Sequence, residues 1–554
     1  MKNFLENIDL KHIISITLLL ILIILVRGSP LKDNTLPFGE TDSAYHYSVA
    51  DYIAHSDKSL TYVPEYIGFR YYVINPIKKL FTSTYPPFFH TSLAIFQSFA
   101  SDRFSTFFFA ISLFDALAVF SVYFLLSRLF NWKVGLLAGV LTIFGFRYQM
   151  SYLWGQWTSA AAIAFTPLIL YSAYCFFKSL KEDKPKFVYM YFVTLLLGVN
   201  YLWHGLSFLS NSIILAVYGI IFIILNKNIP LKYIKNKTFL IQLGVNIIIL
   251  TLMIAPFYYY TIGYKEDTPE NQEKSSLFKW SDVILSGYPE VFGSYTYNYG
   301  YIVLALAIIS ILFLVISRKE ESIPILAWVI GMYIYFHIDW LNITDRGYMA
   351  RMLQAEELLF FSLAAIGLYY ISIFITKSIS QLKGKKMIIF FILAILLLIN
   401  FYPKMAENYN TLKNSYQSIL RLTPEQYEVA QWLEKNLDNN ARVYTKGTLT
   451  YPKERFFQAA ARIPIFPGNS EEEVKDQYDK LIIEGNKIHN LNYPLFEVTH
   501  VLIDYSDILR LANQPEYQKK VEELQEYEKN VSLRGNLILN KNNIHIYKLR
   551  KNGQ

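Results

Sequence analysis

The sequence predicts a polytopic α-helical membrane protein of about eleven spans, with a small extracytoplasmic α/β domain at its C-terminal end. Three observations carry that expectation. Of 554 residues, 53% are hydrophobic and 17% charged, with a mean hydropathy of +0.25; soluble domains hold roughly 25% charged residues. Repeated apolar runs approach the roughly 20 residues that cross a bilayer core. Lys and Arg also gather in alternate segments between the runs, as in Lys178, Lys181, Lys184, Lys186 and again in Lys377, Lys383, Lys385, Lys386. Such an excess marks cytoplasmic loops.

The apolar runs place spans at about 12–28, 105–131, 134–150, 158–178, 187–202, 206–226, 238–262, 300–317, 322–338, 355–376 and 387–402. Helices follow because backbone groups in lipid must be satisfied within their own segment. The first run, in MKNFLENIDLKHIISITLLLILIILVRG, exceeds a signal-peptide core and lacks a small-residue cleavage site, so an uncleaved span is expected. The charge asymmetry puts the N-terminus in the cytoplasm and the C-terminus outside, in a plasma membrane. It also accounts for the net charge of +8, so nucleic acid is not an expected partner. The single cysteine, Cys175, excludes an intrachain disulfide and a Cys-based zinc site.

Two outer segments are too long to be connectors, 29–104 and 263–299. Residues 1–402 form the expected membrane domain and 403–554 the outer one. In the latter, LTPEQYEVAQWLEKN reads as a helix with Thr423 as cap, Pro424 in first position, and Val429, Trp432 and Leu433 on one face. VTHVLIDYSD reads as a buried strand and NLILNKNNIHIYKL as a hairpin. The domain lacks a Gly-rich phosphate loop or clustered His and Cys, which points to recognition rather than catalysis.

The first outer loop carries FGETDSAYHY. Residues 41–55 read as a short amphipathic helix, with Thr41 or Asp42 as cap and a stripe of Tyr45, Val49, Tyr52 and Ile53. Asp42 and His46 lie one turn apart on one face. A second apolar helix follows Pro86-Pro87 and holds His90. Local pattern leaves two readings of Asp42: a helix cap at the membrane edge, or a chemical carboxylate. Glu40 and Asp42 are spaced to converge on one divalent cation, with His46 as a third donor.

A long first loop with two membrane-hugging helices, then many spans, then an outer α/β domain, resembles the GT-C class of membrane glycosyltransferases. That class includes oligosaccharyltransferase catalytic subunits and protein O-mannosyltransferases. GETDSAYHYSVADYIA resembles their acidic first-loop motif, and YPPFFHTSLAIF the Tyr-Pro-Pro segment of prokaryotic members. The resemblance implies a polyprenyl-phosphate-type sugar donor, a glycan, lipid or protein acceptor, surrounding membrane lipids, and chemistry on the outer face. It implies that Asp42 is the first-loop acid, acting as base or metal ligand in an inverting transfer. Glu40 and His46 would orient it or hold a divalent metal (Mg or Mn). Arg351, at the outer end of a late span as in many members, would clamp the phosphate with Arg346, Arg147 and His90 beside it.

The chain departs from the oligosaccharyltransferases in two ways. Residues 403–554 lack a Trp-Trp-Asp-Tyr-Gly motif, and SYLWGQW lacks a carboxylate where a second acidic motif is expected. Two alternatives therefore stand beside the enzyme: a transporter or flippase for a lipid-linked glycan, and a catalytically inactive scaffold of the same class. Pro167 and Pro256 interrupt spans without matching positions in two halves, which weighs against the transporter. Asp115, inside the second span, and His204, at an outer turn, read as structural.

Overall fold

A computed structural model describes residues 9–33, 36–39, 41–56, 65–68, 88–99, 103–262, 288–336, 353–382, 384–415, 421–438, 440–447, 453–467, 487–490, 493–506 and 515–550. The first span is α1 (Leu10–Asp33), and the first outer segment supplies α2 (Thr41–His55), the single turn α3 (Glu65–Gly68) and α4 (Phe88–Gln97). The membrane part continues with α5 (Ser105–Leu129), α6 (Trp132–Ile143), α7 (Phe146–Leu153), α8 (Trp157–Ala162) and α9 (Phe165–Lys181). After these come α10 (Phe187–Trp203), α11 (Gly205–Leu225), α12 (Asn228–Ile234) and α13 (Lys237–Ile262). The last membrane helices are α14 (Tyr288–Ser317), α15 (Ser322–Phe336), α16 (Leu353–Ser378) and α17 (Lys386–Ser415).

Among the described residues, eight helical segments are long and apolar enough to cross a membrane, and the bent pair α6–α7 can make a ninth. The shorter apolar helices α10 and α15 account for the other two expected spans. Their lipid-facing sides are apolar, as at Ile24, Ile248 and Leu396, while Trp157, Trp328 and Tyr335 fill the interior.

Two expected straight spans are interrupted, each for a local reason. Residues 134–150 bend by 48° between α6 and α7. There the carboxylate of Glu357 on α16 accepts the Arg147 and Tyr148 backbone N–H groups at 3.2 and 2.6 Å, serving the start of a new helix. Residues 158–178 break after Ala162. Pro167 has no N–H to offer the Ile163 carbonyl, and the Asn200 side chain donates to the Ala162 carbonyl at 2.8 Å. The last membrane helix differs too: α17 continues through Pro403 to Ser415, past the expected domain boundary. Its polar extension packs back on the bend, where Asn408 donates to the Phe144 carbonyl at 3.0 Å.

The C-terminal part holds α18 (Pro424–Asn436), α19 (Lys453–Ala461) and α20 (Pro515–Ser532) around a five-stranded sheet. Strands β1 (Val443–Gly447), β2 (Ile465–Pro467), β3 (Lys487–Asn490), β4 (Tyr493–Glu497), β5 (His500–Asp504), β6 (Gly535–Lys541) and β7 (Ile544–Leu549) give the order β2-β1-β5-β7-β6, with β3–β4 a separate hairpin. Strand β1 lies parallel to β2 and β5, whereas β5–β7 and β7–β6 are antiparallel. Thr423 caps α18 in a capping box with Gln426. Asn542 and Asn543 turn the β6–β7 hairpin with φ of 56° and 59°.

One buried carboxylate fastens this domain to the first loop. Asp51 of α2 is 0% exposed and accepts Arg103 Nη2 and Nε at 2.7 and 2.9 Å. Arg462, just after α19, donates Nη2 to the same carboxylate at 2.8 Å. Each guanidinium also reaches Glu434 of α18 at 3.2 Å. Burial opposes the charge on Asp51, but the His55 hydrogen bond and the two guanidiniums outweigh it, so the carboxyl sits well below the usual range. Two further contacts join the parts: Leu422 N–H donates to the Pro37 carbonyl at 3.2 Å, and Gln458 hydrogen-bonds the Tyr66 carbonyl.

Replacing Asp51 by Asn leaves two guanidiniums facing an amide. Thermal or denaturant unfolding should show a loss of roughly 2–4 kcal/mol, the guanidiniums being only partly buried. Limited proteolysis should release the C-terminal part faster. Unchanged stability and cleavage would mean that Asp51 does not join the two parts.

Candidate functional site

The site is built where the turn before α2 meets the turn after α7. Phe38 stacks on Phe108 of α5 at 3.9 Å between ring centroids, and the Arg421 guanidinium lies 5.3 Å from the opposing Phe38 ring. Gly39 then turns the chain with φ of 114°; a Cβ there would lie 2.6 Å from Ser43 Oγ and 3.2 Å from the Leu153 carbonyl. Helix α2 begins two residues later and carries Asp42, half-buried, in its first turn. A helix N-terminus favours a negative side chain.

The opposite wall is SYLWGQW. Gly155, with φ of 75°, is so close to the Ser43 amide that a side chain there would overlap it. The segment expected to hold a second carboxylate is therefore in contact with the Asp42 turn, through backbone. Trp157, buried at the start of α8, donates Nε1 to the Tyr152 carbonyl at 2.7 Å.

One turn below Asp42, His46 is buried against His90 of α4, with Nδ1 and Nε2 2.8 Å apart. One nitrogen donates and the other accepts, so two neutral rings suffice. Phe89 and Trp157 rings surround His46 at 5.9 and 6.1 Å. Burial, then the neighbouring His90 and His204, hold His46 well below its ordinary value, and burial takes His90 down to about 3. His204 accepts the Ser207 N–H at 3.2 Å as the cap of α11.

Of the expected site residues, Asp42, His46 and His90 thus fall in one region; Glu40, Arg346 and Arg351 lie outside the described residues. Arg147 stands at the bend, its guanidinium 5.9 and 5.8 Å from the Phe146 and Trp154 rings and its amide on Glu357. Among the described residues no three His, Cys, Asp or Glu side chains converge as metal donors. His46 engages His90 through Nδ1, and Glu40, the other expected donor beside Asp42, lies outside the described residues. Asp115 lies 3.5 Å from Arg27, and Arg27 donates to the Tyr148 and Gln149 carbonyls at 2.7 and 3.4 Å. Arg27 and Glu357 thus hold the two sides of α7, the helix that leads to Gly155. Neither pairing was expected, nor was the close approach of both Gly39 and Gly155 to Ser43. Only the left-handed turn preference of glycine hints at the latter.

The histidine pair gives an acid-sensitive signature. Both folded values lie below 6.5, so the folded state binds fewer protons than the unfolded one. Its contribution is complete above pH 6.5 and is lost progressively as pH falls toward 3. Asp51 loses its contribution only below the usual carboxylate range. His500, lowered to about 4, adds a background that a variant subtracts. On acidification from pH 7 to pH 5 the melting temperature of wild type should therefore lose ground relative to that of His90→Gln. Equal slopes in the two proteins would rule out the pair as the source.

In fold the chain is similar to the archaeal oligosaccharyltransferase AglB from Archaeoglobus fulgidus, solved with an inhibitory peptide and a dolichol-phosphate. The TM-score is 0.55 at 13% identity, covering 95% of this chain and 72% of that one. It is likewise similar to ArnT from Cupriavidus metallidurans bound to undecaprenyl phosphate, with a TM-score of 0.52 at 11% identity and 97% of each chain covered. The Archaeoglobus fulgidus oligosaccharyltransferase in complex with Zn and sulfate aligns at 0.51, with 13% identity over 89% of this chain and 68% of that one. The chain therefore has the GT-C fold. No curated protein matches it in sequence. Residues 10–447 match the family described as "Family of unknown function (DUF6541)", and, with most of its length matched, the chain belongs to that family.

Proposed function

We propose that the chain is a GT-C-type membrane glycosyltransferase that moves a sugar from a polyprenyl-phosphate-type donor to an acceptor on the outer membrane face, with inversion. The observation that carries this reading is Asp42: a half-buried carboxylate in the first turn of α2, packed against the Gly155 turn in a GT-C fold. The dolichol-phosphate of AglB and the undecaprenyl phosphate of ArnT support the donor class.

In this mechanism Asp42 takes the proton of an acceptor hydroxyl as its oxygen attacks the anomeric carbon. The bond to the donor phosphate breaks, and the phosphate leaves on the opposite face. One displacement inverts the anomeric centre. Arg351, with Arg346, is assigned to the departing phosphate because guanidinium forks match its oxygens. Arg147 belongs to the same assignment. Glu40 and His46 orient Asp42. The neutral His46–His90 pair keeps a second charge away from the base.

A catalytically silent GT-C-like scaffold is the competing reading, favoured by the lack of a carboxylate in SYLWGQW. Cells lacking the chain would be complemented with wild type or Asp42→Asn, and envelope glycoconjugates compared by mass spectrometry. A glycan restored by wild type and absent with Asp42→Asn, at equal membrane abundance, is expected; losses of about 10²–10⁴-fold are typical when a general base is removed. Restoration by Asp42→Asn would remove the base assignment, and no glycan difference with wild type would favour the scaffold.

A further inference from the structure

At the end of the bundle away from α2, a crevice of about 380 Å³ opens between α1, α5 and α9. Helix α5 starts beside Asp51 through Arg103 and ends at Leu129. Its 25 residues put roughly 36 Å between the candidate site and the crevice mouth. The crevice is thus a separate place, facing the other leaflet.

Its walls run from Arg128 and Phe124 up to Phe120 and Leu117 on α5, with Phe165 and Leu168 of α9 at the upper end. From Arg128 to Leu117 is about 16 Å of helix rise, close to half of a ~30 Å hydrocarbon core. The surrounding surface is lipid-facing: Leu117 is 42% and Ile16 43% exposed. An apolar crevice in that position is filled by a hydrocarbon chain in a bilayer.

The mouth has the opposite chemistry. His12 and the Tyr123 hydroxyl meet at 2.6 Å, and Arg128 is exposed there, its guanidinium 5.7 Å from the Phe124 ring. Lys11 stands beside His12, 3.6 Å from Asp9, and acts electrostatically on Lys133. Among the described residues lining the crevice none is acidic. Apolar depth of one chain's length beneath a cationic mouth matches one amphiphile: an anionic phospholipid.

We propose that this crevice binds one anionic phospholipid of the leaflet opposite the candidate site, its acyl chain along Phe120 and Leu117 and its phosphate at Arg128. The assignment stands independently of any glycosyl transfer. Delipidated full-length protein would be titrated with phosphatidylglycerol and with phosphatidylcholine, and bound lipid counted by native mass spectrometry. One phosphatidylglycerol should bind about five- to tenfold more tightly than phosphatidylcholine, the scale of one cationic contact. Arg128→Gln, an exposed substitution that leaves packing intact, should erase that preference. Leu117→Trp, which fills the apolar depth, should weaken both lipids. Equal binding of the two lipids to wild type would overturn the proposal, as would phosphatidylglycerol affinity unchanged in both variants. So would capture of added undecaprenyl phosphate in place of phosphatidylglycerol that Leu117→Trp abolishes.

Discussion

The outer face is organised by one buried carboxylate, Asp51. A charge removed from water is tolerable only with matched donors: here the guanidiniums come from Arg103 before α5 and Arg462 after α19, and Tyr47 and His55 add contacts from one turn to either side on α2. Glu434 on α18 supplies the second negative group that two guanidiniums require. Because the donors sit on separate segments, satisfying Asp51 sets how α2 lies relative to the bundle and to the C-terminal sheet. Helix α2 carries Asp42 nine residues earlier, so the clamp also fixes the orientation of the candidate base. Stability of the domain junction and geometry of the site are thus one constraint.

Beneath α2 the same logic runs through backbone rather than charge. Glycines at 39 and 155 let two turns touch where side chains would hold them apart. That contact requires α7 to stop at a defined height. Glu357 supplies the start of α7, in a space where a Cβ on Gly145 would lie 2.6 Å from its carboxyl carbon. Arg27 holds the Tyr148 and Gln149 carbonyls on the other side, balanced by Asp115. Ionisable groups inside a membrane domain are costly; here they place a short helix that no apolar pattern specifies.

Much of the architecture was legible in the sequence because bilayer thickness and backbone satisfaction leave few options. Apolar length locates spans, and helix α2, the Thr423 cap and the 535–549 hairpin follow from local spacing. The break at Gly145 was hidden, since it depends on Glu357 far away in sequence, whereas Pro167 marks the interrupted span 158–178 and only its Asn200 partner was out of view. In the site, Asp42 and His46 share a face by helix periodicity alone. The partnership of His46 with His90 requires α4 to fold over α2, and the Asp51 clamp spans more than four hundred residues. Such pairings carry no local signature, because only tertiary packing brings the groups within reach.

One position of SYLWGQW excludes a carboxylate for a physical reason. Position 155 has a left-handed backbone and no room for a side chain against the Ser43 amide, so an acid there is incompatible with the observed contact. Asp42 thus stands at a helix N-terminus with a neutral histidine pair below it and backbone opposite. The positive end of a helix favours the charged form of a carboxylate, which a proton acceptor requires. The departure from a two-acid pattern is therefore compatible with base chemistry, provided that the glycine contact keeps Asp42 in place.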